Sequence, residues 1–192
     1  QTIKLVFEWL EKSVKTADPE AREKMHNAST MAGMAFANAF LGMSHSMAHK
    51  IGGVHHTVHG RTNAILLPYV IRYNGTRPSK TTTWPKYNYW KADEKFQDIA
   101  KMLGLPHSTP EEAVEAYAKA VYDLGEAVGI TMNFKGFGID EKVWKDSLHE
   151  IALLAYEDQC SPANPRLPMV ADMEEIMADA YYGYAERPGR RK

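Results

Sequence analysis

Apolar positions at helical spacing open the chain: Ile3, Val6, Phe7 and Leu10 fall on one face, and the pattern stops near Thr16-Ala17-Asp18-Pro19, which predicts a first helix. Asp18 reads as an N-cap with Pro19 at the first helical position, and no proline follows before about His49, so a second helix of unusual length is expected. Its middle is built from small residues, among them Ala28, Ala32, Gly33, Ala35, Ala37 and Gly42, with Met31, Met34, Phe36 and Phe40 as knobs. That is the pattern of a helix buried on most sides. Gly52-Gly53 is expected to break it, followed by a short loop through His59-Gly60. A new helical pattern starts at Thr62, and Pro68 is expected to kink or restart it. Residues 74–88 carry Gly75, Pro78, Pro85 and three threonines and read as a long irregular connection.

Helical periodicity returns over Trp90–Leu103, Thr109–Val128, Asp140–Glu157 and Pro168–Tyr182. Thr109-Pro110 and Ile139-Asp140 are N-terminal signals, and Gly104 and Gly129 are C-terminal stops. No apolar/polar alternation rich in β-branched residues competes. The expected fold class is therefore all-α, a multi-helix bundle forming one domain over residues 1–184. Residues 185–192 are expected to be a polar, disordered tail. The first residues lack a starting Met and already read as helix, so the chain is expected to be part of a longer polypeptide.

Composition narrows the function. The 192 residues are 44% apolar and 24% charged, an ordinary composition for one domain. Twenty-three basic against 24 acidic residues leave a net charge of −1, which provides no field for a nucleic acid. No run approaches the roughly 18 apolar residues of a membrane span, and the mean hydropathy is −0.43. His26, Asn27, Asn38, His45 and His49 would each be expensive in hydrocarbon, so the small-residue helix is not read as membrane-spanning. Cys160 stands alone, which excludes an internal disulfide and points to a reducing, cytoplasmic setting.

The candidate chemistry lies in histidines. His45, His49, His55, His56 and His59 put five of the eight within fifteen residues. His45 and His49 share a helix face, and a break at Gly52-Gly53 folds His59 back toward them, which makes a neutral-imidazole metal site geometrically reasonable. The competing reading is a set of imidazoles satisfied by backbone carbonyls. A borderline cation such as Fe(II) or Zn(II) needs about three or four ligands, and no acidic residue is near in sequence. Distant residues must complete the site, or it is incomplete. Cys160 is a candidate nucleophile or thiolate ligand, with an inert buried thiol as the alternative. His26, His107 and His149 have no partner pattern and read as structural or solvent-exposed. No G-x-G-x-x-G or G-x-x-x-x-G-K-[ST] run occurs, so the chain has no dinucleotide or phosphate cradle of its own.

Three segments resemble the C-terminal helical domain of iron-containing (group III) alcohol dehydrogenases, above all that of bifunctional aldehyde-alcohol dehydrogenases. They are Met25-His26-Asn27-Ala28-Ser29-Thr30 with Ala32-Gly33-Met34-Ala35-Phe36, then His45-Ser46-Met47-Ala48-His49-Lys50-Ile51-Gly52 through His59-Gly60 to Pro68, and Asp158-Gln159-Cys160 with Asn164-Pro165-Arg166. The resemblance spans nearly the whole chain. It implies that His45 and His59, fourteen positions apart, are iron ligands, and that His49 contacts cofactor or relays a proton instead of binding metal. It places Phe36 and Cys160 along a substrate pocket. It also implies an upstream Asp and a His four residues later as the remaining ligands. No Asp in this chain has a His at that distance.

By the same resemblance, an N-terminal α/β domain with a pyrophosphate loop is expected upstream to bind NAD, and in a bifunctional parent an aldehyde dehydrogenase region lies further upstream. The implied reaction is reduction of acetaldehyde or a similar small aldehyde to a primary alcohol, with Fe(II), or Zn(II) in its place, as the metal. The chain alone is expected to be inactive. A homo-oligomer or filament is the implied assembly. Two further readings stay open: an assembly module of a filament-forming enzyme, and a stand-alone helical domain holding Zn(II) through His45, His49 and His59.

Overall fold

The computed structural model describes residues 1–78 and 90–183, and among these no strand occurs. Eight α-helices follow in order: α1 Thr2–Thr16, α2 Pro19–Ala39, α3 Met43–His55, α4 His59–Gly75, α5 Ala92–Met102, α6 Pro110–Ala127, α7 Glu141–Tyr156 and α8 Val170–Tyr182. A 3-10 turn, Ser161–Ala163, separates the last two. The all-α expectation holds for the described residues. The tail expected at 185–192 and most of the irregular connection expected at 74–88 fall outside them.

Caps legible in the chain are in place. Asp18 accepts the amide of Ala21 at 2.9 Å, Thr109 Oγ1 accepts that of Glu112, and Asp140 Oδ1 accepts those of Lys142 and Val143. Gly104 and Gly129 adopt φ of 70° and 83°, the left-handed geometry in which glycine stops a helix without a Cβ penalty.

Four expectations are corrected. The long second helix ends at Ala39, where Phe40 turns to φ 64°, and α3 starts afresh at Met43. The cause lies 121 residues away: Asn164 Oδ1 accepts the amide of Met43 at 3.2 Å and caps the new helix. Gly52 and Gly53 lie inside α3 and do not break it, because Met47 and Ile51 on the same helix are locked in the core and packing outweighs glycine's weak helix preference. The turn comes instead at His56, with φ 53°. Of the two alternatives at Pro68, the restart is the one overturned: the buried proline lies within α4, which begins at His59 and continues past it. Finally, α2 is not buried on most sides. Only Ala21 and Ala28 are fully covered, while Met34, Phe36 and Phe40 are about half exposed or more.

The main core joins α3, α4, α7 and α8 through Met47, Ile51, Leu66, Trp144, Met177 and Tyr181, with Phe134 from the preceding loop. Each such side chain contributes about 2 kcal/mol relative to being left in water. Trp144 stacks between Phe134 at 4.8 Å and Tyr181 at 5.4 Å. A second cluster, Ile71, Val114, Tyr117 and Ala118, fastens α6 to α4, and Phe7 of α1 and Phe96 of α5 lean on it. Thus α3 and α4, which with the turn between them carry five clustered histidines, are held from beneath by α7 and α8.

Candidate functional site

The corner between α3 and α4 brings the histidines together. His45 and His49 lie one turn apart on α3, and His59 is the first residue of α4. Two local features fold the chain back. His56 takes the left-handed conformation, and the buried hydroxyls of Thr57 and Thr62 hydrogen-bond at 2.7 Å across the turn. Ser44 Oγ then donates to Asn63 Oδ1 at 3.0 Å, joining the two helices beside the rings.

The His45 and His59 ring centres are 5.4 Å apart, His49 and His59 stack at 5.2 Å with 14° between planes, and His45 and His49 stand edge to face at 6.2 Å. His45 is half-buried, whereas His49 and His59 are exposed. Burial, then the neighbouring His59 and His49, hold the pKa of His45 below the ordinary imidazole value. A neutral ring is the form that donates to a cation. His59 is steadied by the Asn63 amide, with Nδ2 3.2 Å from both the ring Nε2 and the His59 carbonyl.

An acidic partner missing from the sequence neighbourhood comes from the turn after α7. Asp158 Oδ2 lies 3.3 Å from His49 Nδ1 and 3.0 Å from Lys50 Nζ, and Oδ1 accepts the Cys160 amide at 3.0 Å. Burial alone would raise this carboxyl, but the Cys160 amide, Lys50 and His49 together hold it well below the usual carboxylate range. Ligand-type atoms of His49, Asp158 and Cys160 all lie within 4.8 Å of one another. Cys160 is fully buried, and its thiol is pushed up to about 11 by burial and by the Asp158 charge. It is a reluctant thiolate. Below it, Ser161 Oγ donates to the Ala155 carbonyl at 2.6 Å and meets Ser46 Oγ at 3.0 Å, which ties this turn to α3.

The remaining sequence candidates have other surroundings. Phe36 is half exposed on α2. His55 leaves the cluster: it stacks on Trp144 at 5.2 Å, and its Nε2 lies 3.0 Å from Ser147 Oγ. His26 is exposed, and His107 Nδ1 contacts the Leu105 carbonyl. His149, expected to lack a partner, pairs with Glu174 of α8 at 2.5 Å while remaining exposed. Sequence reasoning missed Asp158 as the partner of His49. The Asp-x-Cys segment was visible, but nothing in the linear chain shows that α7 returns its end to α3.

The arrangement defines a class: a helical domain presenting converging imidazoles at a surface corner. The chain belongs to the Fe-containing alcohol dehydrogenase family, whose C-terminal part matches residues 1–181. The aldehyde-alcohol dehydrogenase of Streptococcus pneumoniae is 78% identical over 192 residues, covering 100% of this chain and 22% of that protein. The bifunctional aldehyde-alcohol dehydrogenase of Escherichia coli is 38% identical over 188 residues, covering 95% of this chain and 21% of its own length. Among solved structures, a 1,3-propanediol oxidoreductase superposes with a TM-score of 0.78 at 32% identity, covering 94% of this chain and 43% of that one. An alcohol dehydrogenase from Oenococcus oeni also gives 0.78, at 31% identity with 94% and 43% coverage. The chain thus spans about a fifth of the aldehyde-alcohol dehydrogenases it matches. Those relatives are larger proteins, which implies further polypeptide as the partner of this domain. Among the described residues no helix is long and apolar enough to cross a membrane.

Proposed function

We propose that the chain, over residues 1–184, is the metal-holding helical part of an NAD-dependent iron alcohol dehydrogenase, within a bifunctional aldehyde-alcohol dehydrogenase that reduces acetaldehyde or a similar small aldehyde to a primary alcohol. The observation that carries this reading is the convergence of His45 and His59, whose rings lie 5.4 Å apart although fourteen positions separate them. The donor set suits the group: imidazole binds Fe(II) and Zn(II) well, and burial favours the neutral form of His45. His45 and His59 would hold the cation, with the other ligands supplied by polypeptide outside this chain. When bound, the metal supplies Lewis-acid polarisation of the aldehyde oxygen, an effect of several kcal/mol on such reactions.

The chain's own residues have separate tasks. His45 and His59 would donate ring-nitrogen lone pairs to the cation, which requires each ring in its neutral form. His49, stacked on His59 and exposed on its other side, is the group that passes a proton to the nascent alcohol oxygen. Phe36 lines the aldehyde's approach, and Cys160, buried under His49, backs the site from beneath; together they limit the aldehyde's bulk. NAD is held by an N-terminal nucleotide-binding domain, which lies against the exposed end of α2, where Met34, Phe36 and Phe40 offer an uncovered apolar surface. The assembly is a homo-oligomer or filament in the cytoplasm.

The test uses the full-length protein that carries this chain. His45→Ala and His59→Ala are expected to abolish alcohol formation and leave assembly intact, and the 192-residue chain alone is expected to show no NAD-dependent ethanol oxidation. Turnover by the isolated chain would overturn the reading.

A further inference from the structure

We infer that Asp158 is a positioning residue for His49, holding the imidazole with Nδ1–H on the carboxylate so that Nε2 is the nitrogen that takes up a proton from water and hands it on to the substrate oxygen. This deepens the reading of His49 as the proton-passing group. Asp158 has only 8% of its side chain exposed, and its two oxygens are divided between two tasks. Oδ1 accepts the Cys160 amide at 3.0 Å and is thereby fixed to its own turn. Oδ2 lies 3.3 Å from His49 Nδ1 and 3.0 Å from Lys50 Nζ.

An ionised carboxylate only accepts hydrogen bonds, so the ring nitrogen facing it must carry the hydrogen, and the other nitrogen of a neutral ring then keeps its lone pair. Lys50, the next residue on α3, holds the carboxylate in place as a charge. It does not donate to the ring. Packing alone would not set the orientation, because 35% of the His49 side chain is exposed and its flat neighbour, His59, is compatible with either ring flip. A carboxylate 109 positions away in sequence supplies the missing constraint.

A different role would make Asp158 only a cap for the 157–161 turn. The two roles separate in one measurement: the tautomer of His49, read from long-range proton–nitrogen correlations of the ¹⁵N-labelled 192-residue chain at about pH 8.5, where an ordinary imidazole is neutral. The His49 signals are assigned by their loss in His49→Gln. In the unaltered chain, Nδ1 is expected in the protonated range and Nε2 in the unprotonated range. Asp158→Asn keeps an oxygen for the Cys160 amide, so the turn is retained, and the ring is expected to move toward the Nε2–H form. Lys50→Ala is expected to leave the tautomer as it was.

A His49 ring found as Nε2–H in the unaltered chain overturns the inference without any variant, and so does an unchanged tautomer in a folded Asp158→Asn protein. No metal or NAD enters the measurement. Its failure is therefore distinct from failure of the dehydrogenase reading, which is tested by metal retention and turnover in the His45 and His59 variants.

Discussion

Asn164 Oδ1 occupies the space that a side chain at Gly42 would need: a Cβ there would come within 2.8 Å of that oxygen. The same oxygen accepts the Met43 amide, while Asn164 Nδ2 donates to Asn74 Oδ1 at 2.7 Å and to the Arg166 carbonyl at 2.6 Å. One buried amide therefore starts α3, the helix that carries His45 and His49, and joins it to α4. Gly42→Ala should cost about 2 kcal/mol through steric displacement of this cap. Asn164→Ala should cost about 2 to 3 kcal/mol by leaving buried partners unsatisfied. Urea unfolding checks both, and a loss under about 0.5 kcal/mol, the scale of an ordinary surface change, would contradict them.

Asp158 makes a pH prediction. Its pKa in the folded protein lies below that of an unfolded Asp, about 3.9, because the Cys160 amide, Lys50 and His49 favour the charged form despite burial. The stability it contributes is present above about pH 4 and is lost as pH falls through the lower folded value. Asp158→Asn should cost about 2 kcal/mol at neutral pH, the scale of a charged hydrogen bond, and should flatten the loss of stability below about pH 4. Denaturant melts across that range decide it; an unchanged acid slope would rule it out.

Metal binding by the isolated chain is expected to be weak, because two imidazoles fall short of the usual three or four ligands. His45→Ala or His59→Ala should remove it altogether in Zn(II) calorimetry. The His45 pKa lies below 6.5, first because of burial and then because of His59 and His49. Its ring thus stays neutral to lower pH than an ordinary histidine, and proton competition at His45 sets in only on the acid side of about pH 6.5. Retained Zn(II) affinity in both alanine variants would locate the site elsewhere.

Cys160 should be slow to alkylate. A thiol near 11 in place of 9.0 carries about a hundredfold less thiolate at neutral pH, and its burial adds an access barrier. Iodoacetamide labelling followed by intact mass, with free cysteine alongside, reads the difference. Asp158→Asn removes the nearby negative charge and should speed the reaction. Labelling of the unaltered chain at the rate of the free thiol would contradict the buried placement.

Helix identity was legible where local chemistry acts alone. Asp18-Pro19, Thr109-Pro110 and Asp140 each carry their own cap, and Gly104 and Gly129 carry their own stops, so those boundaries follow from neighbours in the chain. The breaks that position the histidines were misplaced for the opposite reason. The stop at Ala39 depends on Asn164, and the continuity of α3 through Gly52 and Gly53 depends on packing against α7 and α8. Likewise, the histidine cluster was visible as a string, but the partner of His49 was not.

Sequence by itself determined the all-helical class, the caps and the identity of the five clustered histidines, because each of these is written in residue types a few positions apart. Tertiary structure decided which histidines meet, sending His55 to Trp144 and His59 to His45. It also decided that Asp158 stands beside His49 and that one end of α2 lies open. Those outcomes depend on how α7 and α8 seat beneath α3 and α4, a balance of buried area and satisfied polar groups that is spread over residues more than a hundred positions apart.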